Sequence, residues 1–153
     1  MAHEVRIQRA EPRPLAVVHR LASAAELGKV VPDACGLVWN VLRAQNVTGA
    51  GRHIAIYFDD RINLDVGVEL ESSFAGHGEV VGSSTPAGTV ATTTHLGPYH
   101  QLHLAHDAIL RWCEGQGYPI AGPRWEVYGH WEDAWNADPA KIRTDVFYLL
   151  TGT

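Results

Sequence analysis

Two pairs of segments decide the fold when read against each other. The first is "TGAGRHIAIY" (Thr48–Tyr57) followed by "LDVGVEL" (Leu64–Leu70); the second is "IAGPRWEVY" (Ile120–Tyr128) followed by "TDVFYLL" (Thr144–Leu150). The run "LDVGVEL" alternates with period two: Leu64, Val66, Val68 and Leu70 face one way, and Asp65, Gly67 and Glu69 the other. Upstream, each is preceded by a helical pattern. One spans about Pro32–Gln45 and contains Trp39, with Pro32 suited to a first turn. The other spans Pro98 to about Glu114, with Leu102, Ala105, Ile109 and Trp112 at helical spacing. A strand precedes each helix, at about Ala16–Leu21 and at "TVATTTHL" (Thr89–Leu96).

The order strand, helix, strand, strand therefore occurs twice. Internal repetition governs architecture before any local motif does. Because strands rather than helices close each unit, the expected class is α+β, with antiparallel sheet and helices packed on it. The expectation is one duplicated domain over residues 1–153, with a first module at about 4–75 and a second at about 79–152. Related modules of this kind would set their third strands about a pseudo-twofold axis, where a ligand cleft is natural. The segment "GHGEVVGSSTPAG" (Gly76–Gly88) reads as a connector.

Superposing Tyr57 on Tyr128 sets Ala55 opposite Glu126, so the acid occurs once in two copies. Its surroundings, "GPRWEVYGHWEDAW" (Gly122–Trp135), hold three of the five tryptophans within eleven residues. On a strand, Arg124, Glu126, Tyr128 and His130 share one face, and Trp125 and Val127 the other. A buried carboxylate must be paired, neutralised or reserved for a ligand. The spacing leaves two readings open: a surface ion pair with Arg124, or a functional acid among aromatic rings.

Composition narrows the function. The chain of 153 residues is 46% hydrophobic and 19% charged, ordinary globular values, and is long enough to bury about 70% of its unfolded surface. A net charge of −5 with no basic run leaves counterion release little to act on, so direct nucleic-acid binding is not expected. No stretch reaches eighteen apolar residues and the amino terminus lacks an apolar signal region, so no membrane role and a cytoplasmic location are expected. Cys35 and Cys113 read as buried free thiols. His100, His103 and His106 fall at i, i+3 steps, which drift around a helix rather than converge, so no metal and no cofactor is expected. No nucleophile-elbow, phosphate-loop or zinc motif is present.

Across "HLGPYHQL" (His95–Leu102), "RWEVY" and "TDVFYLL", the sequence resembles the GyrI-like small-molecule-binding family, which includes effector-binding domains of multidrug-sensing regulators and free-standing members. The matching features are Gly97-Pro98-Tyr99 at the helix start, the acid-x-tyrosine strand Glu126-Val127-Tyr128, and the closing Thr144-Asp145-Val146. The resemblance implies a central pocket for bulky, flat, often cationic compounds. Glu126 would meet the ligand's positive charge there, and Tyr57, Tyr99, Tyr128 and Phe147 would supply wall residues. Trp131, Trp39 and Glu69 are added from position and strand face; Trp135 and the segment 132–141 receive no role. On this reading Glu126 is an uncompensated acid waiting for a cation, and aromatic faces supply about 0.5–2 kcal/mol per desolvated contact.

The resemblance also carries alternatives. Some members hydrolyse the cyclopropane of DNA-alkylating natural products, a role in which Glu126 and Tyr99 would be catalytic. A gyrase-inhibitor-like member would bind a protein partner, and a homodimer is also left open.

Overall fold

The structure, a computed structural model, describes residues 3–59 and 63–151. Its elements in chain order are β1 (Arg6–Ala10), β2 (Pro14–Leu21), α1 (Leu27–Ala44), β3 (Ala50–Tyr57), β4 (Asn63–Leu70), β5 (Val81–Ser84), β6 (Gly88–Leu96), α2 (His103–Gln116), β7 (Ile120–Tyr128), α3 (Ala134–Ala137) and β8 (Arg143–Leu150). The class is α+β, with antiparallel sheet and helices packed on it.

The chain forms two compact units, Glu11–Pro86 and Met1–Ala10 with Ala87–Thr153. In the first, the strands run β3-β4-β2-β5, and in the second β7-β8-β6-β1, every neighbouring pair antiparallel. The two orders are identical once β2 is matched to β6, β3 to β7 and β4 to β8. Even the irregularities correspond, since a register shift falls early in both β3 and β7, between Ala50 and His53 and between Ile120 and Arg124. Tyr57 ends β3 and Tyr128 ends β7, opposite Leu64 and Thr144.

The outermost strands β1 and β5 escape the periodicity reading, and β5 lies inside the expected connector. Both are almost wholly exposed, so neither has a buried face to impose alternation. Three residues containing a proline, Glu11-Pro12-Arg13 and Thr85-Pro86-Ala87, follow each of them. Proline cannot donate to a ladder, which suits it to ending an edge strand. The first ten residues thus join the later half of the chain, and the unit boundary falls at residue 86 rather than near 75.

Helix α1 begins at Leu27, five residues before the expected start, and Pro32 lies inside it. The start is set upstream, where the Glu26 carboxylate accepts hydrogen bonds from the Ser23 N–H (3.0 Å) and hydroxyl (2.9 Å). Those bonds hold the Glu26 carboxyl below its ordinary pKa. Pro32 and Gly28, the residue whose carbonyl loses its helical partner, are both exposed. The helix buries Ala34, Cys35, Val38 and Leu42 against its sheet. In the second unit, Ala105, Ile109 and Cys113 of α2, with Leu102, pack on Ala91, Val146, Tyr148 and Leu150. Trp112 is only half-buried and stacks on Tyr118, with centroids 5.4 Å apart.

One glycine explains a divergence between the repeats. Gly67 occupies the place of Phe147, and a Cβ there would lie 1.8 Å from the Ala16 carbonyl oxygen. The two central strands of the first unit approach too closely at that point for any side chain.

Candidate functional site

The strand bearing Glu126 ends at Tyr128, two residues short of His130, and Gly129 N–H donates to the Arg143 carbonyl (3.0 Å). His130 is therefore off the strand and exposed, and does not join the row. Within β7 the expected alternation holds. Arg124, Glu126 and Tyr128 stand opposite Tyr148, Val146 and Thr144 of β8, on the face that α2 covers. Trp125 stands opposite Phe147 on the other face, where their rings stack at 5.4 Å and 14°. Phe147 is thus separated from Glu126 by the thickness of the sheet.

Glu126 is 7% exposed. Its Oε1 accepts the Tyr128 hydroxyl at 2.6 Å, and its Oε2 lies 2.6 Å from His106 Nε2. His106 Nδ1 lies 2.7 Å from the Tyr148 hydroxyl, and those two rings meet edge to face at 5.5 Å. Four side chains from one helix and two strands thus form a single hydrogen-bonded chain: Tyr148, His106, Glu126, Tyr128. The picture of an uncompensated acid is corrected. Both carboxylate oxygens are engaged, because α2 places His106 over the strand at the point where burial would otherwise strand the charge.

Tyr99 opens toward solvent, 45% exposed, and sets its ring edge to face against Tyr128 with centroids 5.9 Å apart. Partial burial raises the pKa of its phenol. Its place follows from the turn before α2. Gly97 adopts φ 148°, a conformation other residues avoid, and donates its N–H to the Ile142 carbonyl (2.8 Å). Pro98, extended at φ −64° and ψ 153°, then starts the short 3₁₀ turn Tyr99–Gln101 that leads into α2. The Gly-Pro-Tyr motif is therefore the device that presents Tyr99.

The remaining expected residues are held by contacts of their own. Trp131 is 53% exposed and packs edge to face on Trp135, which is 5% exposed. Trp135, unassigned from sequence, is a structural anchor for the 129–141 segment; a Cβ on Gly129 would lie 3.0 Å from its ring. Tyr57, Trp39 and Glu69 belong to the first unit. The Trp39 indole N–H donates to His53 Nε2. Glu69 is 4% exposed, with Arg52 Nε at 3.1 Å and Arg13 Nε at 3.6 Å from its carboxylate. By the strand alternation it faces away from Val66 and Val68, so it is not a positional counterpart of Glu126. Ala55, at the counterpart position, is fully buried.

His106 and Tyr148 were missed as site residues. The i, i+3 spacing presents the histidine only as a candidate metal ligand. A signal was available: position 106 is four residues after Leu102 and three before Ile109, which puts it on the flank of the buried stripe. Its neighbours diverge as expected, since His100 and His103 are exposed. Among the described residues no group of three or more His, Cys, Asp or Glu gathers, and no helix is long and apolar enough to cross a membrane. Cys35 and Cys113 are free and buried; desolvation pushes the Cys35 thiol up to about 11 and raises that of Cys113.

The model of the GyrI-like small molecule binding domain matches residues 3–150. No curated protein matches the sequence. Among solved structures, the EcmrR C-terminal domain is similar with a TM-score of 0.76 at 19% identity, covering 100% of both chains. In a complex of EcmrR with DNA, the chain spans 59% of the EcmrR chain. SAV2435 bound to tetraphenylphosphonium is similar with a TM-score of 0.67 at 7% identity, covering 97% of this chain and 94% of that one. A hydrolase from Listeria innocua is similar with a TM-score of 0.65 at 11% identity, covering 98% of this chain and 93% of that one. At these identities the likeness is one of fold.

Proposed function

The chain belongs to the GyrI-like small molecule binding domain family, and from that premise we propose that it binds bulky, flat, cationic compounds at the Tyr99–Tyr128 pair, with Glu126 as the group that selects their charge. The observation that carries this reading is a nearly buried carboxylate bonded directly to one ring of an aromatic pair whose other ring is half-exposed. Rings offer faces that accept many shapes, and a carboxylate in a poorly hydrated place discriminates charge strongly. Trp131 is proposed as a further contact. The role is that of a binder that sequesters such compounds, or senses them for a separate partner.

Titration with tetraphenylphosphonium and with neutral triphenylphosphine oxide tests it. The wild type is expected to prefer the cation, and Glu126→Gln to lose several-fold to a hundredfold for the cation only, about 1–3 kcal/mol for a charged hydrogen-bonded partner. Equal losses for both ligands would refute the reading.

The hydrogen-bonded chain favours one second reading, hydrolysis of a strained electrophile. A water oxygen would bond to the cyclopropane carbon as the ring C–C bond breaks. The electron pair would pass to the conjugated carbonyl, which takes a proton from a tyrosine hydroxyl, while Glu126 receives the proton from water. Mass spectrometry after incubation decides it: a gain of one water supports hydrolysis, and an unchanged mass leaves binding.

A further inference from the structure

Resting on the cation-binding reading, we propose that His106 makes the site a proton–cation exchanger: the imidazole holds a proton that an incoming cation displaces. The argument is an inventory of protons along Tyr148–His106–Glu126–Tyr128. With a neutral imidazole, the Tyr148 hydroxyl donates to Nδ1, Nε2–H donates to Oε2, and the Tyr128 hydroxyl donates to Oε1. That cluster carries one negative charge. With an imidazolium, Nδ1–H donates to the Tyr148 oxygen, the other two bonds stay as they were, and the cluster is neutral. Both states keep every hydrogen bond among these four groups, so a proton is taken up or lost without any heavy atom moving. What changes is the charge behind the Tyr99–Tyr128 pair.

Few titratable groups surround His106. Facing it are Glu126 and, beyond that, Tyr128 on β7, and Tyr148 on β8; Arg124 of β7 lies on the same face opposite Tyr148. On its own helix the flanking His103 and Asp107 are exposed. The one titratable residue of β6, the other strand beneath α2, is His95, which is held by His3 (3.0 Å) and the Pro98 carbonyl (3.3 Å). Histidine is the side chain that ordinarily changes charge between about pH 5 and 8. A cation bound at the aromatic pair favours the negative state and expels the proton. By linkage, protonation weakens cation binding by the same factor and leaves neutral ligands untouched.

The test is the affinity for tetraphenylphosphonium, which has no titratable group, from about pH 5.5 to 8, in wild type and His106→Gln, with triphenylphosphine oxide as control. Glutamine keeps an N–H for Glu126 and cannot change charge. The wild type is expected to weaken up to tenfold per pH unit toward acid, and His106→Gln to show a flat profile with folding confirmed by circular dichroism. If the variant misfolds, proton release by the wild type, measured calorimetrically in buffers of different ionisation enthalpy, carries the test: up to one proton per cation supports the exchange, and none overturns it. A slope that persists in a folded His106→Gln protein also overturns it, since the proton then resides elsewhere. Binding that is independent of pH sinks the exchange alone, whereas failure to bind the cation at any pH sinks the cation-binding reading and the exchange with it.

Discussion

Glu126 Oε2 and His106 Nε2 lie 2.6 Å apart, joining strand β7 to helix α2. Twenty residues separate them in sequence, and between them come the whole second half of α2 and the turn into β7. This contact explains how a carboxylate survives at 7% exposure, and it sets what substitutions there will do.

Glu126→Gln should lower stability by about 1–2 kcal/mol rather than raise it, because the acid already serves as acceptor for two donors. The amide can accept from only one of them unless His106 changes tautomer. Urea denaturation at neutral pH checks this; unchanged or increased stability would mean that the carboxylate is uncompensated after all.

Tyr148→Phe keeps the ring packed against Ala105 and Ile109 but deprives His106 Nδ1 of its partner. A loss of about 1 kcal/mol is expected from the unmade hydrogen bond. Tyr148→Ala should cost about 3–5 kcal/mol, since it also opens a cavity beneath α2. Denaturation midpoints of the two variants separate the hydroxyl from the ring.

Gly67→Ala should be severely destabilising, by about 3 kcal/mol or more, or abolish folding, because the added methyl would meet backbone at 1.8 Å and backbone cannot step aside. Gly115→Ala, on α2 with open space around the added carbon, is the matched control and should be neutral or slightly stabilising. Thermal melts of both variants test the contrast.

The Cys35 thiol, raised from 9.0 to about 11 by burial, holds its proton more tightly folded than unfolded. Its contribution is therefore complete below about pH 8.5 and is lost progressively as pH rises from about 9 toward 11. Wild type should lose more stability than Cys35→Ala between pH 8.5 and 10.5. At pH 8 the native thiol should resist a disulfide reagent and react fully once unfolded.

Much of this was legible in the residues alone, because it rests on local period. The strand "LDVGVEL" alternates, the helix from Pro98 carries an apolar stripe, and the order strand, helix, strand, strand recurs, so the duplicated α+β order could be read directly. The Glu126–Tyr128 pairing was equally local, since side chains two apart on a strand share a face. Strands β1 and β5 were not readable, because an exposed edge strand owes its existence to a neighbour's open hydrogen bonds and leaves no hydrophobic pattern. Phe147 looked like a wall residue until the register set it against Trp125 on the far face. His106 is the sharpest case. Helical period placed it on the flank of a buried stripe, but which strand atoms lie beneath that flank is decided by how α2 seats on β6 and β8. Packing over long separations brought Glu126 an imidazole and that imidazole a tyrosine, and no spacing rule along a chain encodes such a meeting.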